Sequence, residues 1–285
     1  MSKTVPFTKL EALGNDFVLI DARKQAFHPD KQLIQASGDR RRGIGFDQLL
    51  ILDPPPDSDT LCTVRIFNCD GSAAEQCGNG MRAIALWLHE AGEFATSTRI
   101  KTAGGEVEVS ADGDGVYAAS LGPPNFRPQS WGGRTDKASW TEQINGQEIT
   151  LHGVSIGNPH LVVPWARPPS QNEVQGLGTR LSRHERLAGG ANISLASVRD
   201  RQHIDLAVFE RGAGPTLACG SGACATAAVM IRLDLVDRLV TVAQPGGELV
   251  IHWPDTNQPI SMAGPARRVF EGLLDQNLME PKNPA

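Results

Sequence analysis

The 285-residue chain has no apolar run approaching the ~20 residues that a membrane-spanning helix needs. Its start, "MSKTVPFTKLEALGNDF", has no apolar stretch of the kind a signal peptide carries, so the expected location is the cytoplasm. There is no basic tail or stripe, and the net charge is −5, which argues against nucleic acid or an anionic membrane as partner. No Cys-x-x-Cys and no His-x-x-x-His completes a tetrahedral set, so no metal is expected. The glycine-rich stretches lack the lysine and serine or threonine of a phosphate loop. Neither a pyridoxal-type lysine motif nor a nucleotide fingerprint is present, so the expected chemistry runs without a cofactor. Cysteine is scarce and odd in number: Cys62, Cys69, Cys77, Cys219 and Cys224. In a reducing compartment structural disulfides are not expected, which leaves each thiol either a small buried hydrophobe or a chemical group.

What is there is a phrase written twice. "AEQCGNGMRA" begins at Ala74 and "LACGSGACAT" at Leu217, their cysteines Cys77 and Cys219 offset by 142 residues. Near the same offset "AGGEVEV" from Ala103 matches "PGGELVI" from Pro245, and "LGPP" from Leu121 matches "AGPA" from Ala263. "LGND" from Leu13 matches "IGNP" from Ile156. Four ordered matches describe an internal duplication, each copy a domain or half-domain. The expected division is residues 1–122 with 266–285, and residues 123–265.

Strands are predicted at "FVLIDA", "QLLILD", "TVRIF", "EVEVSA" and "VYAASL", and in the second copy at "HLVVPWA", "NISLASVR", "IDLAVFE", "RLVTVAQ", "ELVIHW" and "ISMAG". A helix follows each Cys-Gly phrase. In the first, Met81, Ile84, Ala85 and Leu88 share one face and Gly92 is a C-terminal stop; the second is apolar all round and so buried. "DPPPDSD", "RPPSQNE", the crossover Gly122–Gly146 and the tail "PKNPA" are predicted loops, and "DRRRG" a solvated turn.

Cys77 and Cys219 each precede glycine and the first turn of a helix. Unpaired backbone N–H groups and the positive end of the helix dipole favour thiolate there, and the glycines admit an anion such as a carboxylate. Cys62 lies within a strand-like run, Cys69 and Cys224 have no counterpart in the other copy, and all three are expected to be buried and inert. Two duplicated domains facing each other would bring one thiol to each face of a carbon. That layout suits inversion of a stereocentre by removing a proton and returning it from the opposite side.

The sequence resembles the diaminopimelate epimerase family nearly end to end, through "LGNDF", "GIGFDQLL", "RIFNCDGSAAEQCGNGMR", "GNPH", "HER", Ala191–Asn192, "ERGAGPTLACGSGACA" and "QPGG". The resemblance implies an α/β fold of two pseudo-symmetric domains, each a barrel-like mixed sheet around a central helix. It also implies cofactor-independent interconversion of LL- and meso-2,6-diaminopimelate. Carried over, Cys77 and Cys219 are the acid/base pair, tuned by His160 and Glu210. Gly78, Asn79, Gly220 and Ser221 hold the reacting carboxylate. Asn15, Gln48, Asn68, Asn158, Asn192, Glu210 and Arg211 are further substrate contacts. On spelling alone "GND" and "GNP" are turns, and only the family pattern gives their asparagines a ligand.

The family's homodimer is also implied, with Phe270 standing where a tyrosine is usual at the interface, and Cys69 where alanine is common. The related proline racemases and hydroxyproline epimerases typically carry histidine or threonine at the third position of the Cys-Gly-x-Gly phrases, where this chain has Asn79 and Ser221. A non-enzymatic thiol-dependent binding protein would share the cysteines but exchange no substrate proton.

Overall fold

Strong β-alternation and two apolar helices build the same unit twice. The computed structural model describes residues 4–276 and 278, so the "PKNPA" tail lies outside the described residues. The chain divides into residues 1–119 with 265–285, and residues 120–264.

In the first unit the strands are β1 (Thr4–Ala12), β2 (Asn15–Asp21), β3 (Gln48–Asp53), β4 (Thr63–Asn68), β5 (Ala73–Ala74), β6 (Ser97–Thr102), β7 (Gly105–Ala111) and β8 (Val116–Ser120). Helices α1 (Lys31–Gly38) and α2 (Gly78–Glu90) interrupt them. The second unit holds β9 (Ser139–Ile144), β10 (Gln147–Ser155), β11 (Pro159–Pro164), β12 (Asn192–Asp200), β13 (His203–Glu210), β14 (Gly214–Thr216), β15 (Leu239–Gln244), β16 (Gly247–His252) and β17 (Ser261–Pro265). Its helices are α3 (Gln171–Leu181) and α4 (Gly220–Arg232). The final strand, β18 (Arg267–Asp275), returns to pair antiparallel with β1.

Each pairing in one unit has its counterpart in the other. β1–β2 and β10–β11 are antiparallel hairpins. β2–β3 and β11–β12 are parallel, joined across α1 and α3. β3–β4 and β12–β13 are antiparallel, while β4–β6 and β13–β15 are parallel across α2 and α4. β18 on β1 is matched by β9 on β10. The unit is therefore a duplicated mixed sheet with one helix enclosed by its curvature and one on its outer side.

The enclosed helices explain themselves by composition. In α4, small side chains such as Ala223, Ala225, Ala227 and Ala228 are fully buried and let the surrounding strands approach closely. α2 departs from the one-face expectation: besides Met81, Ile84, Ala85 and Leu88, Gly78–Arg82 and Leu86 are also buried. Its surroundings close over the polar side as well. Gly92, at φ 71°, ends it as expected. The outer helices cover a second apolar layer: Leu33 and Ile34 of α1 join Val18, Ile20, Leu49 and Ile51, and Val174, Leu177 and Leu181 of α3 join Leu161, Val163, Ile193 and Leu195.

Three predicted loops are corrected. Gly122–Gly146 is no bare crossover, since it carries a 3₁₀ turn, Pro128–Trp131, and strand β9. Its buried Trp131 and Trp140 stack with ring centres 6.0 Å apart, which anchors the segment to the core of the second unit. "RPPSQNE" runs into α3, where the Ser170 hydroxyl accepts from Glu173 N–H and the Glu173 carboxylate accepts from Ser170 N–H. In "DRRRG" Arg40 is not merely solvated, because it binds the carboxylates of Asp16 and Asp47. Among the described residues no helix is long and apolar enough to cross a membrane.

Candidate active site

The repeated phrase folds into the same small device in both units. Cys77 is the N-cap of α2, with φ −144° and ψ 106°, and its sulfur accepts from Gly80 N–H at 3.4 Å. Cys219 is the N-cap of α4, with φ −128° and ψ 109°, and its sulfur accepts from Gly222 N–H at 3.4 Å. An N–H aimed at sulfur, together with the positive helix end, favours the anionic form over the thiol. Space is tight at the second of these glycines: a Cβ on Gly222 would lie 3.2 Å from the Cys219 sulfur and 3.1 Å from Val208. Cys77 is half-buried and Cys219 buried. The Cys219 backbone is further fixed by its N–H, which donates to Gln244 Oε1 at 2.8 Å.

In the first unit, Asn15, Gln48 and Asn68 gather at matching strand ends, with Gln48 at the head of β3 directly opposite Asn68 at the tail of β4. Gln48 Nε2 donates to Asn68 Oδ1 at 2.9 Å, and Asn68 Nδ2 donates to Ser72 Oγ at 3.0 Å. The Cys77 thiol donates to Asn15 Oδ1 at 3.9 Å. Gly78 and Asn79 are buried in the opening turn of α2, and the Asn79 side-chain oxygen has no protein partner.

The second unit gathers Asn158, His160, Asn192, Glu210, Arg211, Gly220 and Ser221. His160 and Asn192 are neighbours in the parallel β11–β12 register. His160 Nε2 donates to Asn158 Oδ1 at 2.8 Å and lies 3.1 Å from Ser221 Oγ, which is 3.6 Å from the Cys219 sulfur. Burial, with Arg211 adding a smaller like-signed effect, lowers the His160 pKa to about 3, so the imidazole is neutral. Glu210 Oε1 accepts from Thr216 Oγ1 at 2.7 Å. Arg211 N–H donates to Asn192 Oδ1 at 2.9 Å, and its Nη1 donates to the Gly189 carbonyl at 2.6 Å, which directs the guanidinium.

Of the other thiols, Cys62 and Cys224 are buried as expected, and burial pushes the Cys62 thiol up to about 12. Cys69 is corrected: it is exposed, because it stands in the turn directly after β4 rather than inside a strand. Phe270 is exposed on β18, its ring set edge-on to Phe7 at 5.9 Å. Among the described residues no three His, Cys, Asp or Glu side chains gather as a metal site would require.

Two groups of residues escaped the sequence. Asp47 accepts from Asn15 Nδ2 at 2.7 Å and from Arg40 at 2.7 Å; Arg40 and Lys9 both pair with Asp16, whose carboxyl is held well below the usual range against the opposing effect of burial. Gln244, quoted in "QPGG" but given no role, anchors the Cys219 backbone. The adjacency of Asp47 to Gln48 in "GFDQLL" was the one available signal.

The family model described as diaminopimelate epimerase matches residues 7–127 and 153–269. The diaminopimelate epimerase of Azotobacter vinelandii is 42% identical over 271 residues, covering 94% of this chain and 98% of that protein. The one from Ectopseudomonas mendocina is 40% identical with the same coverage. Among solved structures, a hydroxyproline epimerase from Agrobacterium vitis superimposes with a TM-score of 0.70 at 12% identity, covering 96% of this chain and 94% of that one, a likeness of fold. By family match and by identity across nearly its whole length, the chain belongs to the diaminopimelate epimerase family.

Proposed function

We propose that this chain interconverts LL- and meso-2,6-diaminopimelate, with Cys77 and Cys219 as the acid/base pair at the α-carbon, acting in the cytoplasm as a homodimer. One observation carries the reading: the thiol that caps a buried helix, accepting from the N–H three residues on, is built once in each duplicated unit. The α-proton of an amino acid is weakly acidic, so its removal needs a base within hydrogen-bond reach and stabilisation of the charge that develops on the carboxylate. The opening turns at Gly78 and Asn79 and at Gly220 and Ser221 offer backbone N–H groups for that charge.

Inversion then requires a second proton from the opposite face. One sulfur acts as thiolate and the other as thiol, and their roles exchange with each turnover. In this reading Asn15, Gln48, Asn68, Asn158 and Asn192 orient the substrate. Arg211 takes the distal carboxylate in a bidentate grip, and Glu210 takes an ammonium. The neutral His160 acts on Cys219 through the Ser221 hydroxyl rather than by giving up a proton. The product class places the enzyme in lysine and peptidoglycan precursor synthesis. Exposed Val269, Phe270 and Leu273 on β18 support a homodimer contact.

The test is exchange in deuterated water. Fully reduced protein should wash the α-proton out of diaminopimelate and leave proline untouched, followed by NMR. Exchange with proline alone, or with neither, would overturn the reading.

A further inference from the structure

The two thiols are not equivalently served. The Cys77 thiol donates to the Asn15 side-chain carbonyl at 3.9 Å. Which end of that amide faces the sulfur is settled by Asp47. Asn15 Nδ2 donates to Asp47 Oδ2 at 2.7 Å. A carboxylate can only accept, so the amide NH₂ must face it and the carbonyl oxygen must point the other way.

Asp47 in turn has no freedom. The same oxygen accepts from Asp16 N–H at 3.1 Å, and its other oxygen accepts from Arg40 Nη2 at 2.7 Å. Arg40 also spans both oxygens of Asp16, at 2.7 and 2.8 Å, and buried Lys9 donates to Asp16 at 2.6 Å and to the Gly45 carbonyl. This run of charges ends on Asn15 Oδ1, which accepts from the Cys77 thiol.

In the second unit the corresponding asparagine is turned the other way. Asn158 Oδ1 is taken by His160 Nε2, and its Nδ2 faces Ser221 Oγ at 3.4 Å. Ser221 Oγ thus accepts from Asn158, which leaves the hydroxyl proton to be directed at the Cys219 sulfur, 3.6 Å away. An acceptor beside a thiol stabilises S–H, whereas a donor beside it stabilises S⁻.

We infer that Asp47 is a positioning residue which, through Asn15, holds Cys77 as the protonated partner in the substrate-free enzyme and leaves Cys219 as the resting base. The inference rests on the proposed function for the role of the thiols, but its test reads the thiols directly.

Full-length, ligand-free protein is alkylated with iodoacetamide at pH 7, and modification at each cysteine is followed by peptide mass spectrometry. Asp47→Asn removes the constraint that fixes the amide. It should speed Cys77 alkylation about three- to tenfold, the worth of one net hydrogen bond, and leave Cys219 unchanged. Thiolate absorbance in the ultraviolet should rise in step. Asn15→Ala should speed Cys77 similarly, and the double variant should gain nothing more, because Asp47 acts only through Asn15.

An unchanged Cys77 rate in either single variant overturns the inference. So does an Asp47→Asn effect that persists in full on the Asn15→Ala background, since the carboxylate would then act by its own field. Should Asp47→Asn unfold, as buried Cys62 and Cys224 becoming reactive would reveal, Asn15→Ala alone still decides. Failure of the diaminopimelate exchange assay would overturn the function while leaving these rates meaningful.

Discussion

His160 carries the clearest pH signature of any single residue. Burial removes water from both ring nitrogens and leaves Nδ1 without a partner, so protonation must wait until about pH 3. In the unfolded chain the same ring takes its proton near 6.5. Between those values the unfolded state binds more protons, so stability rises with pH and is lost on acidification. From pH 7 to pH 5 that loss is about 2 kcal/mol, at roughly 1.4 kcal/mol per pH unit below the unfolded value. Urea unfolding at the two pH values should show it, and His160→Gln should remove that increment whatever its own cost at pH 7. An identical pH dependence in the variant would place the titration elsewhere. Cys62 makes the complementary point, since a thiol sealed in apolar surroundings is raised to about 12. Cys62 has no helix end beside it to oppose that rise, unlike the N-capping Cys77 and Cys219.

At the scale of elements, α3 offers a paired test of packing against propensity. Gly176 faces open space, and a Cβ there meets nothing within 4 Å, whereas a Cβ on Gly178 would fall 2.2 Å from the Phe209 ring. Gly176→Ala should therefore stabilise by about 0.5–1 kcal/mol, as alanine does in an exposed helix interior. Gly178→Ala, the same chemical change two residues on, should destabilise by about 1–3 kcal/mol as Phe209 is forced to move. Thermal melts of the two variants should shift in opposite directions, and shifts of the same sign would contradict the packing. α3 also shows where sequence runs out. Ser170 and Glu173 spell a capping box, but the prolines before them make the stretch look like a loop.

Alternation made most strands readable, and the duplicated phrase made both sulfur-capped helices readable. β9 was hidden because Gly, Pro and Ser around Trp131 and Trp140 mask two aromatic anchors. Asp47 was hidden for a different reason. Its partner Asn15 is 32 residues away in the chain, and only the parallel β2–β3 pairing brings them together.

On the scale of the whole molecule, a duplicated fold suits the proposed mechanism, which needs two similar groups. If the working form holds one thiolate and one thiol, as proposed, kcat/KM for diaminopimelate should be bell-shaped in pH, with limits belonging to the pair. A rate rising without limit into alkali would mean that one sulfur acts alone. If β18 forms the dimer contact, Leu273→Asp should halve the mass in sedimentation equilibrium; an unchanged mass would move the contact elsewhere. The claim beneath all of this is that each cysteine serves one configuration of the reacting carbon. Cys77→Ala and Cys219→Ala, assayed separately, should both lose epimerisation in both directions. Each should still remove the α-proton from one stereoisomer, which shows as elimination from analogues bearing a leaving group on the adjacent carbon. The account predicts that the two variants eliminate from analogues of opposite configuration. Elimination from the same stereoisomer by both, or full epimerase activity in either, would contradict it.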